Sequence, residues 1–271
     1  MEPAVRNPVV AGMFYYADSD ILREHLDELF SSARTIDNCV GVISPHAGYE
    51  YSGRTAAKAI SSLKQAETFV ILGPNHTLMG PEFSIMGYGV WKTPLGECKI
   101  NEDIAKLLKR NKILEEDTLA HEQEHSIEVQ LPFLQYRFKN FKFVPISVAN
   151  TTYSDTFLEH CESVGETIAE ISKEHDISII ASSDFSHYIP FETAKKHDME
   201  AIECIEKLDV KGFFRTLQKN NASVCGFGPI AILMSAMKKL GKKGKLIEYT
   251  SSGEATHDYN SVVAYAAIGF K

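Results

Sequence analysis

The chain has 271 residues, enough for one large α/β domain or two small ones. Hydrophobic residues make up 44% and charged residues 24%, which excludes long disorder, and the net charge of −8 disfavours a nucleic-acid surface. No apolar run approaches the roughly 20 residues that span a bilayer, so no membrane insertion is expected.

In chain order, an amphipathic helix is expected near Asp18–Ser32, then a short apolar strand at Val40–Ser44. A helix fits Arg54–Lys64 and a strand Thr68–Leu72. Phe83–Gly87 and Gly89–Thr93 read as shorter strands around Gly/Pro turns. Helical patterns return at Asn101–Asn111 and Ser126–Phe138. Phe143–Val148 reads as a strand, Thr156–Glu174 as a long helix, Ile177–Ser182 as a strand and Ala194–Leu208 as a helix. Further helices fit Val210–Lys219 and Pro229–Leu240, and last strands fit Lys245–Ser251 and Ser261–Ile268. Runs such as Phe69-Val70-Ile71-Leu72 and Ile177-Ser178-Ile179-Ile180 are apolar on both faces, as in central strands covered by helices on each side. The alternation predicts an α/β fold with a largely parallel or mixed sheet.

Five cysteines, an odd number scattered along the chain, argue against a disulfide framework and for a reducing compartment. Met1–Val10 lacks a basic patch followed by an apolar block, so no signal peptide is expected and the location is read as cytoplasmic. The lysine cluster from Lys238 to Lys245 is the strongest charge run and reads as a solvated surface.

In open α/β sheets the ligand site lies outside the carboxyl ends of the strands. Three histidine motifs fall there. Val42-Ile43-Ser44 runs into Pro45-His46-Ala47-Gly48-Tyr49, Val70-Ile71-Leu72 into Gly73-Pro74-Asn75-His76, and Ile179-Ile180-Ala181 into Ser182-Ser183-Asp184-Phe185-Ser186-His187. If the strands are parallel, the imidazoles converge on one rim. Cys225 is the fourth candidate. It precedes Gly226-Phe227-Gly228-Pro229 and an apolar helix, whose positive N-terminal end is expected to favour the thiolate. The alternative is a buried structural cysteine, the reading adopted for Cys39, Cys98, Cys161 and Cys204.

Two motifs are set aside. His121-Glu122-Gln123-Glu124-His125 matches the zinc-protease pattern H-E-x-x-H, with Glu122 in the place of the base. The acidic Glu115-Glu116-Asp117-Thr118 before it does not read as a buried helix turn, and the apolar helix begins only after the motif. Gly226-Phe227-Gly228-Pro229-Ile230-Ala231 matches G-x-G-x-x-A, with Glu248 downstream. The dinucleotide fingerprint needs a strand before the first glycine, and Lys219–Ser223 is polar there. No nicotinamide, flavin or P-loop site is expected.

In order and spacing, these motifs resemble the Memo family. The resemblance starts at Asn7-Pro8-Val9-Val10-Ala11-Gly12-Met13-Phe14-Tyr15 and continues through the His46 and His76 loops and Thr93-Pro94-Leu95-Gly96. Glu124-His125-Ser126-Ile127-Glu128-Val129-Gln130-Leu131-Pro132-Phe133-Leu134, Ser183–Tyr188 and Cys225-Gly226 complete it. It implies one α/β domain over residues 1–271, similar to class III non-haem iron extradiol dioxygenases, with a central mixed, largely parallel sheet covered by helices on both faces. It implies a metal pocket of His46, His76 and Cys225. Related dioxygenases hold iron with two histidines and a carboxylate, so Cys225 in the carboxylate's place is the main departure. His187 matches a proton-handling histidine, and His125 and Asp184 match neighbours in the same pocket. These three are the expected catalytic residues, with Asp184 orienting an imidazole and His121 at the pocket's edge.

The function expected from this set is a metal-dependent oxidoreductase acting on a small molecule. The cofactor is a divalent metal, Fe(II) first, with copper or zinc as alternatives. Two other classes use the same pocket: a non-catalytic module binding a phosphopeptide or signalling partner, with Arg54 as the nearby cation, and a zinc-dependent hydrolase. Substrate and oligomeric state are not legible at this level.

Overall fold

The computed structural model describes residues 4–31 and 37–271. The N-terminal half contains β1 (Val5–Arg6), α1 (Ser19–Ser31), β2 (Gly41–Ser44), α2 (Tyr49–Ser62), β3 (Thr68–Pro74), β4 (Phe83–Ile85), β5 (Val90–Thr93), β6 (Gly96–Lys99), α3 (Glu102–Leu108), β7 (Glu115–Glu116), α4 (Leu119–Glu122) and α5 (Gln130–Arg137). The C-terminal half contains β8 (Lys142–Val148), α6 (Asp155–Ile171), β9 (Ile177–Ser182), β10 (His187–Ile189), α7 (Phe191–Glu206), α8 (Val210–Asn220), α9 (Phe227–Lys239), β11 (Gly244–Ser251), α10 (Gly253–Thr256) and β12 (Val262–Phe270).

The main sheet has the order β10-β12-β2-β9-β3-β8-β4-β7, with β11 also paired to β12. Its centre, β2-β9-β3-β8, is parallel, and β12 and β4 join that centre antiparallel on either side. Alternating side chains of the central strands serve two separate cores. Val70 and Leu72 of β3, Ile179 and Ala181 of β9 and Ile43 of β2 pack with residues of α3, α6, α7, α8 and α9. Phe69, Ile71, Ile180 and Val42, one residue out of phase, pack with α1, α2 and α5. This is the physical reason the central strands are apolar without alternation: both faces leave water. The fold is therefore the expected α/β class, a mixed sheet with a parallel centre and helices on both faces.

The helices follow their apolar stripes. Leu22, Leu26 and Leu29 of α1 are buried at helical spacing, and Asp18 accepts from the Asp20 and Ile21 amides at its start. Ser154 caps α6 by accepting from the Phe157 amide. The last residue of the helix expected over Asp18–Ser32, Ser32, lies outside the described residues. Two boundaries differ in a way that matters. The expected Arg54–Lys64 helix begins at Tyr49, immediately after Gly48, so the His46 loop runs straight into a helix. The expected Ser126–Phe138 helix begins only at Gln130; the segment before it is turn, freeing Glu124 and His125 to face the site. The lysine-rich turn lies between α9 and β11, and Lys238, Lys239, Lys243 and Lys245 are exposed. Among the described residues no helix is long and apolar enough to cross a membrane.

A second, three-stranded sheet, β1-β5-β6, anchors the N-terminal segment. Arg6 stands opposite Trp91 in register, and its guanidinium lies 4.3 Å from the Trp91 ring centroid. Arg6 pairs with the buried Glu128 carboxylate and donates to the backbone carbonyls of His121, at 3.1 Å, and Glu124, at 2.6 Å. Glu128 also accepts from the Val9 and Val10 amides and from the Tyr15 hydroxyl. Arg6 is 5% exposed and Glu128 0%, so removing one partner strands a charge in the interior. Arg6→Met is expected to cost about 3–5 kcal/mol of unfolding free energy in urea titrations. The double substitution Arg6→Met/Glu128→Gln should cost less than the two single changes together. Additive losses would show that the pair is not coupled.

Candidate metal centre

Three parallel strands deliver the site. β2 pairs with β9 and β9 with β3, all parallel, so their carboxyl ends share one rim. His46 follows β2, His76 follows β3 and Asp184 follows β9, each two residues past the strand end. Cys225 arrives from the start of α9. Its turn is clamped: Asn150 Nδ2 donates to the Cys225 carbonyl at 2.6 Å, Gly228 N donates to Asn150 Oδ1 at 3.0 Å, and Gly226 N donates to Ser183 Oγ at 3.0 Å. A Cβ on Gly226 would lie 2.5 Å from the Ser182 carbonyl oxygen. The glycine that suggested a dinucleotide fingerprint is there for this close approach of α9 to β9, and no strand precedes it.

His46, His76 and Cys225 each offer one ligand atom, and these atoms lie within 4.8 Å of one another. His46 is 2% exposed; its Nε2 is 3.3 Å from Cys225 Sγ and its Nδ1 is 2.9 Å from Ser182 Oγ. His76 is more open. Its Nδ1 donates to Glu124 Oε1 at 3.0 Å, so in the neutral ring Nε2 carries the lone pair. Two imidazoles and a thiol at this separation fit a divalent metal by donor chemistry and by spacing.

Glu124 is the residue the motif reading missed. Its oxygens accept from His76 N at 2.6 Å, His76 Nδ1 and Ser126 N at 2.8 Å, and Oε1 is 3.5 Å from His125 Nδ1. His76, Glu124 and His125 thus form a second group with metal-ligand spacing. Because the carboxylate is already engaged by donors, it acts as an outer partner that orients His76. In the H-E-x-x-H reading Glu122 was the candidate, yet Glu122 is exposed and Glu124 is buried. The usable signal is position: Glu124 stands two residues before the buried run that begins at Ser126.

The other expected residues fall as follows. His125 stacks on His76, with centroids 4.7 Å apart, and meets His46 edge-on at 5.5 Å; Phe14 packs on its other side at 4.9 Å. Asp184 enters the pocket but does not hold an imidazole: its Oδ1 accepts from the His46 backbone N at 2.9 Å, so it fixes the loop rather than the ring. His187 lies on β10, where its Nδ1 donates to the Ser223 carbonyl at 2.7 Å and its N to Ser223 Oγ at 2.8 Å. His121 is in neither group with metal-ligand spacing. It is fully buried, with Nε2 3.0 Å from Ser84 Oγ and its ring edge-on to Trp91. α4 is only one turn long, so His121 and His125 never share a helix face as a zinc protease requires. Cys39, Cys98 and Cys161 are buried and Cys204 is half-buried within α7, away from this group.

Burial dominates the electrostatics. It holds the His46 imidazolium well below the usual histidine range, reinforced by His76, His125 and His187. It pushes the Cys225 thiol up, with the Asp184 charge adding to the effect. Desolvation therefore acts against the expected stabilisation of thiolate by the α9 terminus. Asp184 is pushed up to about 6 by burial, against the hydrogen bonds from the His46 and Ala47 amides. Glu124 behaves oppositely. Burial works against its charge, but the donors from His76 and Ser126 and the nearby imidazoles bring it down to about 2. His76 is raised: burial opposes its cation, and Glu124 outweighs that.

Arg54 lies outside this group, on a cleft of about 590 Å³ between α1, α2 and β11. Glu28, Glu50, Glu248 and Glu254 line the same cleft, and Lys58 there is paired with Glu248. An anionic phosphopeptide would meet more carboxylates than cations at Arg54.

The Memo-like protein family matches residues 6–269. A MEMO1 family protein of Methanosarcina barkeri is 43% identical over 267 residues, covering 97% of this chain and 99% of that protein. One of Methanopyrus kandleri is 42% identical, covering 98% and 99%. Among solved structures, an uncharacterized protein of Escherichia coli K12 superposes with a TM-score of 0.54 at 12% identity, covering 84% of this chain and 98% of that one. That likeness concerns the fold alone. With a family match over nearly the whole chain and relatives above 40% identity, the chain belongs to the Memo-like protein family.

Proposed function

We propose that this chain is one α/β domain that works as a cytoplasmic, metal-dependent oxidoreductase on an electron-rich small molecule. His46, His76 and Cys225 are the ligands, and Fe(II) is the first expectation, with copper or zinc as alternatives. The observation that carries the reading is the convergence of two imidazoles and one thiol within 4.8 Å at the carboxyl ends of parallel strands. When bound, an Fe(II) ion with open positions supplies Lewis acidity and one-electron chemistry with dioxygen. The similarity to class III dioxygenases that the family resemblance implies supports the reaction class by analogy of fold alone. Five free cysteines fit a reducing compartment.

The chain's own residues have distinct tasks in this scheme. His187 has its Nδ1 committed to the Ser223 carbonyl, so Nε2 is the atom that takes a proton from the substrate. His125, neutral because burial lowers its pKa, is the second proton carrier. Glu124 keeps His76 oriented, and Asp184 keeps the His46 loop in place. Phe14 packs edge-on against His125.

Anaerobic purification followed by elemental analysis tests the metal. About one divalent ion per chain is expected, lost in His46→Ala and Cys225→Ser and kept in Cys204→Ser. Wild-type protein without iron, copper or zinc after reconstitution would sink the reading. His187→Gln should keep its metal and lose about 10²–10⁴-fold in turnover in an oxygen-consumption screen over catechols, thiols and related reductants. Turnover that persists without dioxygen would move the assignment to a zinc-type hydrolase.

A further inference from the structure

Beneath His46 lies a buried polar relay that the metal ligands do not explain. Ser182, Gln130 and Ser126 are all fully buried. Ser182 Oγ has three close partners: the Ser126 carbonyl at 2.7 Å, Gln130 Nε2 at 2.9 Å and His46 Nδ1 at 2.9 Å. Gln130 Nε2 is also 2.9 Å from the Pro45 carbonyl, an acceptor only, so the amide must present its nitrogen on this side. It therefore donates to Ser182 as well.

The rest follows from counting hydrogens. Ser182 has one hydroxyl hydrogen. The Ser126 carbonyl, at the shortest of the three distances, has no hydrogen of its own to offer and must receive it. Were the hydroxyl turned to His46 instead, two oxygen lone pairs would face each other at 2.7 Å in a buried site. Ser182 is then an acceptor towards both Gln130 and His46, and Nδ1 of His46 must carry the hydrogen.

We infer that Ser182, held in place by Gln130 and Ser126, is a positioning residue that fixes His46 in the Nδ1–H tautomer and so turns an unprotonated Nε2 towards Cys225 and His76. The two ligand histidines are thereby presented alike by different outer groups, a charged carboxylate behind His76 and a neutral hydroxyl behind His46. The neutral partner suits the deeper ring, since it adds no buried charge. Ser182 also ties the end of β9 to the segment that carries Glu124 and His125, so one hydroxyl sets both the tautomer and the approach of the two loops. The consequence for affinity rests on reading the pocket as a metal centre; the tautomer itself does not.

Nitrogen-15 NMR of histidine-labelled, metal-free protein tests the tautomer directly, with His46→Gln used to assign the signals. The expected result is His46 Nδ1 in the protonated range and Nε2 in the unprotonated range. In Ser182→Ala the remaining partner is Cys225 Sγ on the Nε2 side, so the tautomer should shift towards Nε2–H. Zinc affinity, measured by competition with a chromophoric chelator, should fall about 10–100-fold in that variant. An unprotonated Nδ1 in the wild type, which needs no variant to observe, would overturn the inference. So would a Ser182→Ala protein with unchanged tautomer and unchanged zinc affinity. Wild-type protein that binds no zinc, iron or copper but shows the Nδ1–H tautomer would defeat the metal reading and leave the relay standing.

Discussion

The site depends on a buried ion pair that touches none of the ligands. Arg6 and Glu128 lie far apart in sequence and are both inside the protein. Arg6 grips the backbone of residues 121 and 124, and Glu128 grips the N-terminal segment at Val9, Val10 and Tyr15. From residue 123 to residue 129 the chain has no helix or sheet ladder of its own to hold it. The turn that presents Glu124 and His125 is thus fixed from outside. A pair with so much desolvation to offset adds little net stability against an apolar replacement. Its value here lies in position: four backbone partners and a tyrosine hydroxyl hold the two side chains from several directions at once.

The same segment must also come close to β3. A Cβ on Gly73 would lie 2.5 Å from Ser126 Oγ and 2.6 Å from Ile127 Cγ1. Only glycine lets the strand that leads to His76 lie against the segment that supplies Glu124. Ser126 Oγ then donates to the Pro74 carbonyl, and Glu124 accepts from the His76 amide and ring. The packing of Gly73 and the geometry of His76 are two results of one contact.

The central strands, the main helices and the strand-end histidines were legible because each is a local pattern. A strand buried on both faces leaves an unbroken apolar run, and Val70-Ile71-Leu72 and Ile179-Ile180-Ala181 are such runs. Cys225 could be singled out by its place before an apolar helix. What was not legible depends on contacts between distant segments. β1, β6 and β7 are two to four residues long and exist only through their partners. Glu124 and Glu122 are chemically identical and two residues apart; only the fold of the turn decides which one is buried. Asp184 was expected at a ring and instead holds a backbone amide, because two residues past β9 its carboxylate reaches the neighbouring loop before it reaches the imidazole. At Cys225 the helix end and burial act in opposite directions, and burial is the larger. A helix terminus contributes on the order of 1 kcal/mol, whereas burial of an unpaired anion costs several.

These directions bear on what the pocket is built to accept. Burial favours a neutral His46 and a protonated Cys225. Glu124 is held firmly as an anion, by hydrogen bonds that a neutral acid could not accept in the same number. The raised His76 lies against it, so these two form a compensated pair. A divalent cation would change this balance in a definite direction. It would favour neutral, ligating forms of both histidines and release the thiol proton of Cys225. The thiolate and the Glu124 carboxylate would then offset its two positive charges within a few ångströms. The charge of Glu124, held behind His76, is therefore part of what offsets a divalent ion.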